Sequence, residues 1–221
     1  MGAEDNKLAI RNAIYNGVLE YKQKLAGQYF LYVFDNRYIE VFFGREHFKH
    51  LTGVASYLNG EKFYRKVETS TLTTNQFWFS KDNPYRTAKA KCSRLQELPK
   101  LISEDTLLLE EIVTDTYTYS FGTTNLDFTV GFTERTKIED GWEIIIPHQY
   151  VPRTLRVKDE AFDKANNVYE VEYIFSKNND LKKYDNITFG KIEDLEKLPQ
   201  DILTLLDVGK LMVYPTQFGT T

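Results

Sequence analysis

The chain has one cysteine and three histidines among 221 residues, and no long apolar run. With Cys92 as the only thiol an internal disulfide is excluded, which suits a reducing cytoplasm. Cys92 stands in the basic run KAKCSRLQ, the setting of a structural thiol on or under a helix more than of a nucleophile. No stretch approaches the roughly 18 apolar residues of a membrane span. The opening MGAEDNKLAIRN is too acidic and polar for a secretory leader. The expectation is a cytoplasmic protein without a membrane partner. Several familiar chemistries are missing too. There is no GxxxxGK(S/T) phosphate loop, no GxGxxG turn, no HExxH, no CxxC pair and no GxSxG elbow. The acidic residues are scattered, with no tight set resembling a two-metal nuclease site.

What is present is apolar enough to fold: 42% hydrophobic and 14% aromatic residues exclude disorder. The length fits a single α+β domain over 1–221, divisible into a helical and hairpin part at 1–105 and a sheet part at 106–221. The net charge of −4 argues against a general nucleic-acid coat, but the charge is uneven. Gly44 to Lys100 holds eleven Lys or Arg against five Asp or Glu, a local +6, so the remainder carries −10. Such asymmetry marks either a side facing a polyanion or a mixed solvated surface.

Periodicity gives the element order. Ile10, Ile14, Val18, Tyr21 and Leu25 recur at helical spacing between a cap at Asp5 or Asn6 and a stop at Gly27. QYFLYVF (28–34) and YIEVFF (38–43) read as a hairpin joined by Asp35-Asn36-Arg37. A short helix or turn is expected over His47 to Leu58, another over Glu61 to Val67 and a helix over Tyr85 to Leu98 ending near Pro99, with a short strand at Gln76 to Ser80. Strands follow at 107–113, 117–121, 126–135 and 142–146, the last two turned at Asp140-Gly141. PHQYVPRTLRV (147–157) reads as an irregular loop because of its two prolines, VYEVEYIF (168–175) as one alternating strand, and Ile192 to Val208 as a closing helix broken at Pro199. An N-terminal helix and hairpin, a basic helical middle, a mainly antiparallel sheet and a C-terminal helix make an α+β fold.

Two of the three histidines stand together just past a strand, in YIEVFFGREHFKHLTGV (38–54). Histidine is the usual proton carrier at neutral pH. Metal-free cleavage of RNA needs a base for the 2′-hydroxyl, an acid for the leaving 5′-oxygen and cations for the phosphorane charge. His47, His50 and Thr52 with Lys49 form one candidate set, and His148, Arg153 and Arg156 a second. Arg86, Lys89 and Arg94 are candidates for the phosphate backbone, and Tyr119 and Thr123 for further substrate contacts, although YSFGTTN also reads as plain turn chemistry. A structural role for each histidine, or a zinc hydrolase using His47, His50 and His148, stays open.

Val41, Phe43, Phe48, His50, Leu51, Thr52 and Gly53 write the pattern (V/I)xFxxxxFxHLTG after the helix and hairpin. With the later YDNITFGKIEDLEKLP (184–199), the chain resembles the phage-associated barnase–EndoU–colicin–RelE-like nucleases. The resemblance implies an N-terminal helical part followed by a small antiparallel sheet, and metal-independent RNA cleavage in toxin, phage-conflict or mobile-element settings. It carries over His50 and Thr52 by position. The expected partners are RNA, tRNA included, and a cognate antitoxin or host protein, with no cofactor. The alternative is a non-catalytic phage or mobile-element protein that binds and inhibits a host protein through its aromatic-rich sheet.

Overall fold

The computed structural model describes residues 2–115, 117–157 and 161–212. Helix α1 (Ala3–Lys24) buries Ile10, Ile14, Val18 and Tyr21 as one stripe, so it is held by packing on a single face. Gly17 belongs to that face because a Cβ there would lie 2.4 Å from the Leu95 Cβ. Strands β1 (Gln28–Phe34) and β2 (Arg37–Phe43) form the expected hairpin, turned through Asp35 and Asn36 at φ 46° and 55°. Asp and Asn tolerate this left-handed region better than other side chains.

The basic middle is helical but broken into short pieces: a 3₁₀ turn (Arg45–His47), α2 (Phe48–Thr52), α3 (Gly60–Glu68) and α4 (Tyr85–Cys92). The long helix expected to Leu98 stops at Cys92 and resumes as 3₁₀ over Leu95–Ile102, around Pro99. The strand expected at Gln76 to Ser80 reduces to one bridge between Trp78 and Ala55.

Strands β3 (Leu107–Val113), β4 (Thr118–Thr124), β5 (Phe128–Glu139), β6 (Trp142–Val157), β7 (Ala165–Glu170), β8 (Tyr173–Asn178) and β9 (Asn186–Phe189) join the hairpin in one nine-stranded sheet. Its order is β7-β3-β4-β5-β6-β2-β1-β8-β9, antiparallel except where β2 meets β6. The fold is therefore α+β, with a mainly antiparallel sheet. Two expectations are corrected. The segment 147–157 is strand, not loop. Its prolines sit where the ladder with β5 is already interrupted, Pro147 in the jump between Ile145 and Tyr150 and Pro152 beside the jump at Gly131/Phe132. A missing N–H costs little at such bulges. The alternating run 168–175 is two strands, because Val171 and Glu172 separate β7 from β8.

That split dictates the shape of the sheet. Six strands lie between β7 and β8 in the sheet order, yet the link between them spans at most about 10 Å. The sheet must roll until its β7 edge approaches β8. The Glu172 amide extends the β1–β8 ladder by donating to the Val33 carbonyl at 2.9 Å, and across the closing gap Arg37 pairs with Glu110 at 3.3 Å. The Phe34 and Tyr169 rings also meet there, at 5.1 Å.

Helices α1 to α4 cover one face over Phe30, Tyr32, Val41 and Phe43. A C-terminal layer, 3₁₀ (Ile192–Lys197), α5 (Gln200–Leu205) and α6 (Val208–Leu211), covers Leu31, Val33 and Phe175 on the other. The closing helix is thus interrupted at Pro199, as expected, and again at Leu206.

Candidate active site

Strand β2 delivers the chain to Gly44, whose carbonyl accepts a 2.7 Å hydrogen bond from the buried Tyr21 hydroxyl. Phe48 and Leu51 then turn inward from α2, the Phe48 ring 5.0 Å from that of Tyr21. With those two positions committed to the core, Lys49 and His50 are left at the surface between them, as helical spacing requires. Helix α2 ends at Gly53, φ 71°, a left-handed cap for which glycine is suited. Gly53 also makes room for a neighbour, since a Cβ there would lie 2.7 Å from the Lys91 side chain of α4.

Helix α2 packs on β6, and between them and α4 lies a groove in two connected parts. The smaller, about 320 Å³, is lined by Lys49, His50, Tyr117, Tyr119 and Arg153 among others. The larger, about 1030 Å³, runs along Arg86, Lys91, Arg94 and Arg156. Asn83, Lys91, Tyr119 and Thr154 line both, so the two parts form one channel. One wall is a single face of α4 and its flanks, residues 83, 87, 90, 91 and 94 at helical spacing.

His50 is partly exposed to this groove. Burial, and then the charges of Arg153, His47 and Lys49, lower its pKa to about 4. A ring flanked by Arg153 and Lys49 in a partly dry site is therefore neutral at pH 7, its lone pair free of a proton, and a weaker base than a free imidazole. Lys49 donates to the Leu58 carbonyl at 2.7 Å, and burial lowers its pKa as well. Lys91 donates to Asn83 Oδ1 at 2.9 Å. Arg94 is held by both Glu97 oxygens at 2.8 and 3.0 Å, so part of its charge is already answered.

Of the residues singled out by sequence, the groove gathers His50, Lys49, Arg153, Arg156, Arg86, Arg94 and Tyr119. The others lie elsewhere. His47 accepts the Gly44 amide at Nδ1, 3.0 Å, and its ring is 6.2 Å from Phe42, which makes it a brace for the turn before α2. Burial lowers its pKa too. Thr52 is 0% exposed, its hydroxyl donating to the Lys49 carbonyl and accepting the Val54 amide at the end of α2. His148 sits exposed in the β6 bulge at φ 60°, its ring 5.0 Å from Tyr38. Thr123 is buried in β4, and Lys89 is exposed beside the α4 lining stripe. Among the described residues no three His, Cys, Asp or Glu side chains come together as a metal site. Cys92 is buried against the Thr52 carbonyl, and burial pushes its thiol up to about 12.

Sequence reasoning passed over Asn83 and Tyr117, and read Lys91 only as part of the basic face with Arg86, Lys89 and Arg94. The helical spacing of 83, 87, 91 and 94 was the available signal for Asn83; nothing local marks Tyr117.

A family model covers residues 13–193, from within α1 through β9, and thus both walls of the groove. The chain belongs to the phage-Barnase-EndoU-ColicinE5/D-RelE like nuclease 4 family. A nuclease family calls for a nucleic-acid substrate, and the cationic channel between α4 and β6 lies inside the matched region. The match ends before α5 and α6. No curated protein and no solved structure matches the chain significantly.

Proposed function

We propose that this protein is a metal-independent endoribonuclease of toxin or phage-conflict type, cutting RNA in the groove between α2, α4 and β6. The observation that carries the reading is a neutral, partly exposed His50 lining the same cavity as Lys49, Lys91 and Arg153. His50 takes the proton of the 2′-hydroxyl, and O2′ attacks the adjacent phosphorus. The bond from phosphorus to O5′ breaks, leaving a 2′,3′-cyclic phosphate and a 5′-hydroxyl. Lys49, its proton loosened by burial, supplies the proton to O5′. Arg153 and Lys91 meet the charge that grows on the phosphorane oxygens. Arg86, Arg94 and Arg156 hold the strand beyond the cut. His47, Thr52 and His148 have structural parts in this scheme, and RNA is the partner it requires.

The test is cleavage of single-stranded RNA or tRNA by the purified protein in EDTA. His50→Ala should lower the rate by roughly 10² to 10⁴ with the fold intact, the usual worth of a general base. The same sequence in DNA, lacking the 2′-hydroxyl, should stay whole. Activity that EDTA abolishes would overturn the scheme.

One observation favours a second reading, a protein that binds and inhibits a host protein. The far end of the β5–β6 hairpin is a two-stranded arm exposing Ile138 (72%), Trp142 (76%) and Ile145 (58%). Absence of any cleavage, with host protein retained by the wild type and lost with Trp142→Ser, would favour it.

A further inference from the structure

Tyr117 is 45% exposed at the His50 end of the groove, and its ring lies 4.8 Å from that of Tyr119. Its backbone is tied down on both sides by one hydroxyl: Thr114 Oγ1 donates to the Tyr117 carbonyl at 2.6 Å and accepts the Tyr117 amide at 3.2 Å. Tyr119 beneath it is 8% exposed and lies close over Gly131, where a Cβ would come within 3.1 Å of the ring. The two rings make an aromatic shelf, its upper member open and its lower member packed in place. Lys49, His50 and Arg153 line the same cavity. An aromatic face set against cations is the arrangement that holds a nucleotide by its base and its phosphate at once.

We propose that Tyr117 is the base-stacking platform of the substrate site, taking the base next to the cleaved phosphate and restricting the enzyme to single-stranded RNA. The inference rests on the ribonuclease reading above and adds the specificity determinant to it. A base inside a duplex is stacked on its neighbours and cannot reach the shelf without being extruded. The cationic channel along α4 then carries the flanking phosphates on one side of the cut.

The experiment uses a short RNA with 2′-O-methyl groups throughout, which binds but cannot be cleaved, carrying 2-aminopurine at one position at a time. Anisotropy reports affinity, and the fluorescence of 2-aminopurine reports stacking. Wild type should quench the probe at one position only and bind the annealed duplex far more weakly than the strand. Tyr117→Phe should keep both properties. Tyr117→Ala should lose the position-specific quench and bind the strand roughly 5- to 150-fold more weakly, the usual worth of one base on one aromatic ring. A Tyr117→Ala protein that binds and quenches like wild type, or equal affinity for duplex and strand, overturns the stacking proposal. If wild type still cleaves natural RNA, the ribonuclease reading survives that failure. Wild type that neither binds the probe nor cleaves RNA removes both.

Discussion

An imidazole withdrawn from water and flanked by Arg153 and Lys49 gives up its proton more readily than a free one. The unfolded ring protonates near 6.5, while the folded one resists to about 4. The linkage has a definite sign. Above about pH 6.5 both states hold the ring neutral and nothing is lost. As the pH falls from there towards about 4, the unfolded state alone gains a proton, and stability declines. A shift of this size corresponds to roughly 3 kcal/mol, reduced to on the order of 2 because the ring keeps some solvent contact. His50→Gln should therefore lose less stability than wild type between neutral pH and about pH 4, read from urea midpoints. The cleavage rate should follow the same group, its acid limb lying near pH 4 and not near 6.5. Tyr21→Phe tests the support under α2. It removes one of two hydrogen bonds on the Gly44 carbonyl, which still accepts the His47 amide at 3.1 Å, and should cost about 0.5–1.5 kcal/mol in chemical denaturation.

Helix α2 is five residues long, too short to persist alone, and its ends are what make it a platform. Thr52 closes its last turn with two hydrogen bonds, one of them to the carbonyl of Lys49. Thr52→Ala should destabilise the protein by about 1–2 kcal/mol while the chemical step at saturating RNA barely changes, which single-turnover kinetics would separate. Gly53→Ala should do more. The left-handed φ alone costs about 1–2 kcal/mol, and the new methyl displaces Lys91 from the groove, so RNA affinity should fall with stability. The elements themselves were legible where the signal is local: the stripe of α1, the Asp35-Asn36 and Asp140-Gly141 turns and the break at Pro199 all stand where periodicity and turn chemistry put them. The segment 147–157 was not, because a proline's cost depends on whether its ladder position is already bulged, and the partner strand decides that.

The whole molecule is acidic, yet its channel is cationic, so binding should depend on salt as a local matter. Each phosphate contact on a single strand contributes about −0.7 to the slope of log affinity against log salt. Arg86→Ala should reduce the slope by about that much, and Arg94→Ala by less because Glu97 already holds its guanidinium. Lys89→Ala, outside the lining, should leave the slope unchanged; filter binding across a salt series would compare the three. The sequence by itself determined the α+β class and the basic tract, which follow from spacing and composition, while its resemblance to phage nucleases singled out His50 as the candidate base. Tertiary structure alone decided which of the three histidines meets a groove and that Arg153, about a hundred residues away, sits beside it. It also decided that an alternating run at 168–175 serves two strands with six others between them in the sheet order. The physical reason is common to these cases. Periodicity sets which way a side chain faces along its own strand or helix, but burial, neighbouring charge and pKa come from the rolled sheet that lays α2, α4 and β6 side by side.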